Sequence, residues 1–540
     1  MKKTLAIMLA LIMVLAMVPA LADGVKVAKI GSTEYETLDE AIDAANDGDT
    51  IELLADCESD GFTIDGKTIT ISGDISENNR RQHTVTLKGD DVPGSGKGNI
   101  VLKNAGKLNL NNCTFKTNRK ITLYADSALD CTNIRLEMDA NKEKFSDKPE
   151  GNIYYDGAIE MERFPCSITF NRCSVLIQNY LGNAIRWDQE TWGYEFRVRF
   201  TESDFMATNC RSGFTGRLWV DVDNSKVDVV ENYGNGSNGS RYTIKNGSVV
   251  NFNNNGKHGL SAWTLKIEGS TVNAIGNGGD GIVAFQTDIN ANSHVIVKEN
   301  AKRSFGGTDP ANDKEVQAGF HVYINGGYLK VEKGADFRVI DNYASGIKIE
   351  NATETLELGS GTIMNNHARG GYSEYGGGIY NVGGTAMIDP SVVIYNNHAV
   401  TAGDDIYSTG KITFGGVGSD WWLDGTPDCD GKIHKIDGWH DDAEENRWQA
   451  HKEKPEDNHI SPVIATNQPI ESKVAVKAAH GANAVEPTPV PTPGGNTGGN
   501  GSSGGGYYHP TTTPVPVIVI PPKTGDMTVW QSILHFLGIK

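Results

Sequence analysis

Residues 346–400 read "GIKIENATETLELGSGTIMNNHARGGYSEYGGGIYNVGGTAMIDPSVVIYNNHAV" and show the repeat most clearly. It contains Asn-Asn-His-Ala twice, at residues 365–368 and 396–399, so the two copies lie 31 residues apart. Around each copy, short apolar strands alternate with turns made of Gly, Asn, Ser and Asp. A loose repeat of this length, built from short strands, is typical of a solenoid.

The same pattern runs back to about residue 55 and on to about residue 415. Units open with a glycine directly before an apolar residue, at Gly259, Gly281, Gly319, Gly346 and Gly378. One turn of such a coil cannot bury its apolar stripe alone, so turns must stack and pair their backbones along the axis. The sequence therefore predicts an all-β parallel β-helix over residues 23–415. A β-sandwich or propeller is the alternative, but it does not explain the glycine openings.

Asparagines recur at two positions of the units, before and after the third strand. Asn tolerates a left-handed backbone, and stacked amides can hydrogen-bond from one turn to the next. These residues are predicted to form corners and ladders: Asn112, Asn133, Asn171, Asn224, Asn246 and Asn292 before the strand, and Asn254, Asn277, Asn300, Asn342, Asn366 and Asn397 after it.

The histidines of the two repeats, His367 and His398, are interpreted as corner residues beside the asparagine ladder. Other turns have Gly278, Ala301 or Tyr343 at the matching position, so the asparagine recurs and the histidine does not. A stacked metal-binding pair is the alternative.

A short helix precedes the coil. Leu38, Ala41, Ile42 and Ala45 recur at helical spacing, and Thr37 with a glutamate three residues later forms a capping box. Such a helix can cover the otherwise open first edge of a sheet.

Two stretches carry a resemblance to known families. Residues 37–53, with Thr-Leu-x-x-Ala-Ile and Gly-Asp-Thr-Ile, resemble the start of right-handed parallel β-helix proteins of the pectate-lyase-like superfamily. Residues 376–407 resemble the Gly-Gly-Ile and Asn-Asn repeats of bacterial adhesin-like surface proteins. The resemblance implies a right-handed coil with an N-terminal capping helix. It leaves activity open, because this fold carries both polysaccharide enzymes and non-catalytic surface proteins.

The ends of the chain indicate export. Residues 1–22 have two lysines, an apolar run and Ala-Leu-Ala, which is the pattern of a secretory signal peptide. After a cap or small accessory region at 416–485, residues 486–520 form a Pro/Thr/Gly-rich linker. Residues 521–540 resemble a sortase sorting signal, with Pro522, Lys523, Thr524 and Gly525 matching its core and Pro521 replacing the usual leucine. A cell-wall-anchored or extracellular protein of a Gram-positive-type bacterium is expected.

Charge and cysteine content exclude some classes of function. Lys and Arg number 49 against 68 Asp and Glu, a net charge of −19, so a nucleic-acid partner is not expected. Seven cysteines without a CxxC pair do not indicate a zinc site or a disulfide framework. We interpret them as small core residues, with Cys113, Cys131 and Cys173 in equivalent positions and one or two disulfides possible after export.

Few residues suggest chemistry. Around "GNAIRWDQETWGYEFRVRF", Arg186, Trp187, Asp188 and Trp192 are predicted as a glycan-binding face, with a solvated sheet face as the alternative. Three fragments resemble parts of polygalacturonase-like motifs, and they contain His258, Asp280 and Lys348. They are incomplete and in the wrong order, so no catalytic residue is predicted.

No metal ligand set and no cofactor are predicted either, although the acidic loop with Asp424, Asp428 and Asp430 leaves calcium open, and His434 with His440 leaves a transition metal open.

The expected function is that of a non-enzymatic surface rod, an adhesin or a glycan- or ligand-binding protein. Its expected partners are host or plant glycans or surface proteins, together with sortase and peptidoglycan for anchoring. A secreted polysaccharide lyase or glycoside hydrolase is the alternative. Carboxylates converging from three neighbouring turns would favour that alternative.

Overall fold

The structure is a computed structural model that describes residues 25–74, 83–88, 98–140, 157–163, 165–187, 196–301, 318–369, 374–423, 434–446, 462–463 and 468–480. The chain divides into two units, Met1–Val485 and Glu486–Lys540, and all the described residues lie in the first. The predicted signal peptide, linker and sorting signal lie outside the described residues. Within the described ranges, no helix has the length and apolar character needed to cross a membrane.

Short strands stack in parallel, turn upon turn, and the predicted all-β parallel β-helix is confirmed. The strands of successive turns form three stacks. The first two stacks, together with five strands at the two ends, form one 29-stranded sheet, and the third stack forms a 13-stranded sheet. At about 4.8 Å per strand, the 13-stranded sheet is roughly 60 Å long. A β-sandwich and a propeller are both inconsistent with these parallel ladders.

The strand bounds follow from this arrangement. The first stack comprises Phe62–Asp65, Ile100–Lys103, Ile121–Leu123, Gly157–Met161, Asn183–Trp187, Phe214–Thr215, Ala318–Val322, Ser345–Ile349, Ile379–Asn381 and Ile406–Ser408. The second comprises Thr50–Leu53, Thr68–Ser72, Lys107–Asn111, Ala128–Thr132, Cys166–Asn171, Phe196–Thr201, Leu218–Asp223, Tyr328–Val331, Thr355–Leu358, Thr385–Ile388 and Lys411–Thr413. Three long strands span both stacks: Ser237–Lys245, Leu260–Glu268 and Ile282–Ile289.

The third stack comprises Cys57–Ser59, Thr84–Leu87, Thr114–Thr117, Arg135–Asp139, Ser174–Gln178, Asp204–Thr208, Lys226–Val230, Val249–Asn251, Thr271–Ile275, His294–Lys298, Asp336–Ile340, Thr362–Met364 and Val393–Tyr395. Outside the three stacks lie Ala28–Ile30, Thr33–Tyr35, His367–Ala368, His398–Ala399, Gly438–Asp441, Pro462–Val463 and Val474–Ala479, a helix Leu38–Ala44 and a 3₁₀ turn Glu444–Asn446.

Apolar residues fill the interior because successive side chains of a strand point to opposite faces. The strand Phe196–Thr201, for example, alternates buried and half-buried residues along its length. Parallel register then places equivalent side chains above one another. One interior column runs through Leu108, Leu129, Ile168, Val198 and Val220, all at most 1% exposed.

A ladder of buried asparagines runs along one corner of the coil. Each side-chain Nδ2 donates to the Oδ1 of the next asparagine at 2.8–3.1 Å. The members are Asn232, Asn255, Asn277, Asn300, Asn342, Asn366 and Asn397. The ladder ends on Asp405, whose Oδ1 accepts from Asn397 Nδ2 at 2.9 Å. The predicted ladder is thus confirmed, except that Asn255 and not Asn254 belongs to it.

The Asn-Asn doublets combine two roles. In both repeats the first residue has a left-handed backbone, with φ +55° at Asn365 and +56° at Asn396, and the second joins the ladder. Asn254 has the same conformation before its ladder residue. The predicted corners before the third strand are also left-handed, with φ between +46° and +62° at Asn112, Asn133, Asn224, Asn246 and Asn292. At the remaining predicted corner Asn171 is not left-handed, and Arg172 takes that conformation instead.

The glycines that open the units lie directly against this ladder. A Cβ on Gly281 would sit 2.5 Å from Asn300 Nδ2 and 2.6 Å from a Val297 methyl carbon. The corresponding distance to a ladder amide is between 2.6 and 2.9 Å at Gly259, Gly319, Gly346 and Gly378. Close approach of the amide therefore explains why these positions are glycine.

Both edges of the coil are covered. At the first edge, Thr37 Oγ1 accepts from Glu40 N at 3.1 Å as the N-cap of the helix, which buries Leu38, Ala41 and Ile42. At the last edge, the strand Val474–Ala479 pairs antiparallel with Ile406–Ser408 and with Gly438–Asp441. Antiparallel pairing satisfies the backbone groups that a coil would otherwise leave open.

Six of the cysteines lie in described regions, and all six are buried thiols that take part in no disulfide bond. None of the one or two disulfides considered possible from the sequence forms among these six cysteines. Cys113, Cys131 and Cys173 are not all equivalent. Cys113 and Cys173 each precede a third-stack strand, Thr114–Thr117 and Ser174–Gln178, whereas Cys131 lies within a second-stack strand, in register with Leu110 and Phe170. Cys429 lies outside the described residues.

Candidate functional site

Arginines and aromatic rings gather on the outward face of the large sheet, on neighbouring strands from Phe196–Thr201 to Ile282–Ile289. We call this the arginine–aromatic face, and it consists of Arg197, Arg217, Trp219, Arg241, Trp263 and Phe285. All six are partly or fully solvent-exposed. Five of them occupy outward positions of strands whose alternate residues fill the core, and Arg217 directly precedes the strand Leu218–Asp223.

Trp219 lies between two arginines in register. Arg197 on the preceding turn and Arg241 on the following turn are its direct strand partners. Their guanidinium carbons lie 5.4 Å and 4.9 Å from the centre of the indole ring. A guanidinium within about 6 Å of an indole is attracted by the negative face of the ring. Trp219 therefore holds two positive groups in fixed places on adjacent turns.

A second aromatic pair lies beside this stack. Trp263 and Phe285 meet edge to face with their ring centres 5.9 Å apart. The Arg217 guanidinium lies 5.9 Å from the Trp263 ring. Tyr323 lies on the next turn, beside Phe285, because its backbone N–H donates to the Ala284 carbonyl and so continues the parallel register. Its side chain is 51% exposed.

A second group of polar residues, the His321 cluster, lies further along the same sheet and consists of His258, Asp280, His321, Lys348 and Glu350. Asp280 Oδ2 lies 3.9 Å from His258 Nδ1 and 3.8 Å from His321 Nδ1. His321 Nε2 lies 3.7 Å from Glu350 Oε2, and Lys348 forms an ion pair with the same carboxyl group. The cluster joins four consecutive turns.

Burial and charge set the protonation of this cluster. Burial alone would raise the pKa of Asp280, but His321 and His258 lower it overall. Burial would lower the pKa of His321, yet the two carboxylates raise it. The neighbouring His321 and the charge of Lys348 lower the pKa of Glu350 to about 2. Asp280 and Glu350 are thus both ionised at neutral pH, and His321 is biased towards imidazolium.

The backbone beside the cluster is strained. Ile324 has φ +75°, a conformation that β-branched residues rarely adopt. Its neighbour Tyr323 is exposed and meets His321 edge to face at 5.8 Å. Strained residues of this kind concentrate at functional sites.

The structure partly describes the glycan-binding face predicted from sequence. Trp187 is 6% exposed and packs against Phe196 in the core, at 4.7 Å between ring centres, so it offers no open ring face. Arg186 forms an ion pair with the buried Glu160 at 3.3 Å. Asp188 and Trp192 lie outside the described residues. A binding role for these four residues stays a prediction.

The arginine–aromatic face was missed from sequence, although one signal was present. In "RLWVDVD", Trp219 falls on the polar side of a strand with alternating character, where an indole has no packing reason to be. His258, Asp280 and Lys348 were noticed only as incomplete motifs, and the structure brings all three together. His321 and Glu350 gave no sequence signal.

Within the parts of the chain that the structure describes, no group of three or more His, Cys, Asp or Glu side chains is arranged to hold a metal ion. Asp424, Asp428 and Asp430 lie outside those parts. His440 is buried against Asp437, with 3.2 Å between Nε2 and Oδ1, while the ring of His434 stacks on that of His480 at 4.3 Å.

Comparison with protein-family models, with curated proteins and with solved structures finds no match for this chain. The fold and the side chains therefore define its class, a parallel β-helix with an arginine–aromatic outer face.

Proposed function

We propose that this protein is an exported, non-enzymatic β-helix that binds acidic glycans through its arginine–aromatic face. We propose further that the sorting-signal-like residues Pro522, Lys523, Thr524 and Gly525 anchor it to a Gram-positive-type cell wall through sortase. Export is supported by the signal-peptide pattern of residues 1–22, and anchoring by the linker of residues 486–520.

One observation carries the binding proposal: Arg197, Trp219 and Arg241 are stacked in register on three neighbouring turns. The guanidinium fork matches the geometry of a carboxylate or sulfate group and can bind it through two parallel hydrogen bonds. Packing against the indole restricts the side chains before a ligand arrives, which lowers the entropy cost of binding.

The neighbouring rings supply the second element that a sugar needs. Trp263 and Phe285 give partly exposed aromatic surface against which the C–H groups of a pyranose ring can pack. Because turns repeat about every 4.8 Å, a polysaccharide lying along the axis would meet an arginine or a ring on each successive turn.

The proposal also fits the charge of the chain. At a net charge of −19, long-range attraction does not bring an acidic polymer to this protein. Binding must therefore come from a local group of cations. Such binding weakens steeply as the salt concentration rises, because exposed charges are screened within about 8 Å at physiological ionic strength.

The test compares two arginine variants on arrays of acidic and neutral glycans and by calorimetry with sulfated and uronate polysaccharides. Arg241→Ala removes one guanidinium from the Trp219 stack. Arg338→Ala is the matched control, because it removes an arginine from the third stack, where Arg338 pairs with Asp336 at 2.7 Å. We expect Arg241→Ala to weaken binding about tenfold or more, the cost of one charge-assisted contact of about 1.5–3 kcal/mol, and Arg338→Ala to leave it unchanged. Equal binding by both variants, or retention of neutral glycans only, would refute the proposal.

A second candidate function, a polysaccharide lyase or hydrolase, is favoured by the His321 cluster. Two carboxylates and an imidazole from neighbouring turns are groups that can move protons. Against this, the low pKa of Glu350 makes it a poor acid at neutral pH, and its carboxylate is already paired with Lys348. Incubation with pectin and chondroitin decides between the two: new reducing ends or unsaturated products, lost in His321→Ala, would establish an enzyme.

A further inference from the structure

The two repeats place two imidazoles side by side. His367 and His398 are direct partners in a separate two-stranded parallel sheet, His367–Ala368 with His398–Ala399. Their ring centres lie 6.1 Å apart. The residue before each histidine belongs to the buried ladder, where Asn366 Nδ2 donates to Asn397 Oδ1 at 2.9 Å. The ladder therefore fixes the backbone from which both rings project to the same side.

The coil itself does not require histidine here. After the ladder residues of other turns the chain has Gly278, Ala301 or Tyr343, and the backbone N–H of each still donates to the carbonyl of the ladder residue one turn earlier. His398 is also exposed, at 55% of its side chain, so burial does not explain it. An ion in solution can reach this ring.

A carboxylate orients one of the two rings. His398 Nδ1 lies 3.3 Å from Asp404 Oδ1. Asp404 is held by Lys477, with 2.9 Å between Nζ and Oδ2, so its position is fixed from the other side. When Asp404 accepts the Nδ1–H of His398, the lone pair of this exposed ring is on Nε2. Histidines that bind metals commonly donate their second ring N–H to a carboxylate in this manner.

From this arrangement we infer that His367 and His398 form a two-imidazole site for a divalent transition metal ion, with water in the remaining coordination positions. Imidazole nitrogen suits Cu²⁺, Ni²⁺ and Zn²⁺, and among these Cu²⁺ binds most tightly to a given set of nitrogen ligands. This metal site is distinct from the proposed glycan-binding face, and the inference does not depend on glycan binding.

The experiment titrates Cu²⁺ alone into the untagged exported chain by calorimetry and records the electron paramagnetic resonance spectrum of the complex. The variants are His367→Ala, His398→Ala and the double variant. His294→Ala is a matched control. Like His398, His294 is exposed, to 57%, and lies 3.3 Å from a carboxylate, that of Asp336. Its strand partners are Thr271 and Asp336, so no second imidazole is in register with it. Circular dichroism verifies that each variant is folded.

We expect one Cu²⁺ per chain with hyperfine coupling from two nitrogens. Each single substitution at the pair should lower the affinity on the order of tenfold or more and leave at most one coupled nitrogen, and His294→Ala should change neither. Wild-type affinity in the double variant, or the same loss in His294→Ala as in His398→Ala, would overturn the inference.

Discussion

Replacing Asn300 with Asp tests whether the asparagine ladder holds the coil together. The substitution keeps the size of the side chain but removes its two donor hydrogens. Asn300 is fully buried, and its Nδ2 donates to the Ala274 carbonyl at 2.8 Å and to Asn342 Oδ1 at 2.9 Å. After Asn300→Asp, an oxygen would face both of these acceptors.

The expected cost follows from those two contacts. A buried acceptor that loses its donor costs about 1–3 kcal/mol. Two such losses give about 4 kcal/mol in the free energy of unfolding at neutral pH, and a buried charge adds to it. The introduced carboxyl has no donor left on that side, so its pKa in the folded state is raised above the unfolded value of about 3.9. Its contribution to stability is therefore greatest below that pH and is lost as the pH rises.

Urea unfolding at pH 7 and at pH 4 measures both effects. The control is Asn292→Asp, at an exposed left-handed corner with φ +62° that aspartate also tolerates. We expect that control to stay within about 0.5 kcal/mol of the wild type. Comparison at each pH removes the pH dependence of the rest of the chain. Because stacked turns can unfold separately, hydrogen exchange of the Asn277 amide, which donates to Asn300 Oδ1 at 3.1 Å, locates the change. Equal stability of the two variants at pH 7, or no gain for Asn300→Asp at pH 4, would show the ladder to be dispensable.

Four further results are expected. Gly281→Ala should lower the urea midpoint, because its Cβ would overlap the ladder amide, whereas Gly416→Ala, with nothing within 4 Å, should not change it. Asp405→Asn should speed hydrogen exchange of the Ala478 backbone N–H. In the wild type this N–H donates to Asp405 Oδ2 at 2.8 Å, and the substitution would place an NH2 group, which cannot accept, opposite it. A thiol reagent should leave the six buried cysteines unlabelled in the folded protein and label them after unfolding, because burial raises the thiol pKa of several of them to about 12. Stability carried by Glu350, whose pKa is lowered to about 2, should be present above about pH 4.5 and be lost as the pH falls towards 2, and Glu350→Gln should remove that part of an acid titration.

Much of the fold could be predicted from the sequence because each turn is specified by local residue patterns that recur along the chain. A glycine opening, an Asn-Asn doublet and alternating apolar residues each describe a backbone requirement of one turn: close approach of an amide, a left-handed corner followed by a ladder side chain, and an inward face. Errors at Asn254 and Asn171 were of one residue, since a corner can be formed by either of two neighbours.

The candidate site was not readable in the same way. Trp187 shares its strand with Arg186, and sequence alone could not say that the indole packs in the core while the arginine pairs with the buried Glu160. Cys113 and Cys131 look alike in their local context and occupy different columns, because only the register of the stacked turns distinguishes them.

The sequence is sufficient to predict a parallel β-helix, its corners and its core, because these properties depend on residues within one turn and on their recurrence. Neighbours on different turns are known only from the folded chain: Arg197 and Arg241 flank one indole, His321 lies between two carboxylates, and the two histidines of the opening repeats are partners. These neighbours could not be predicted because the loops between turns vary in length. Neighbours across turns are set by the register of parallel strands, and that register is fixed by pairing and packing rather than by a constant spacing along the chain.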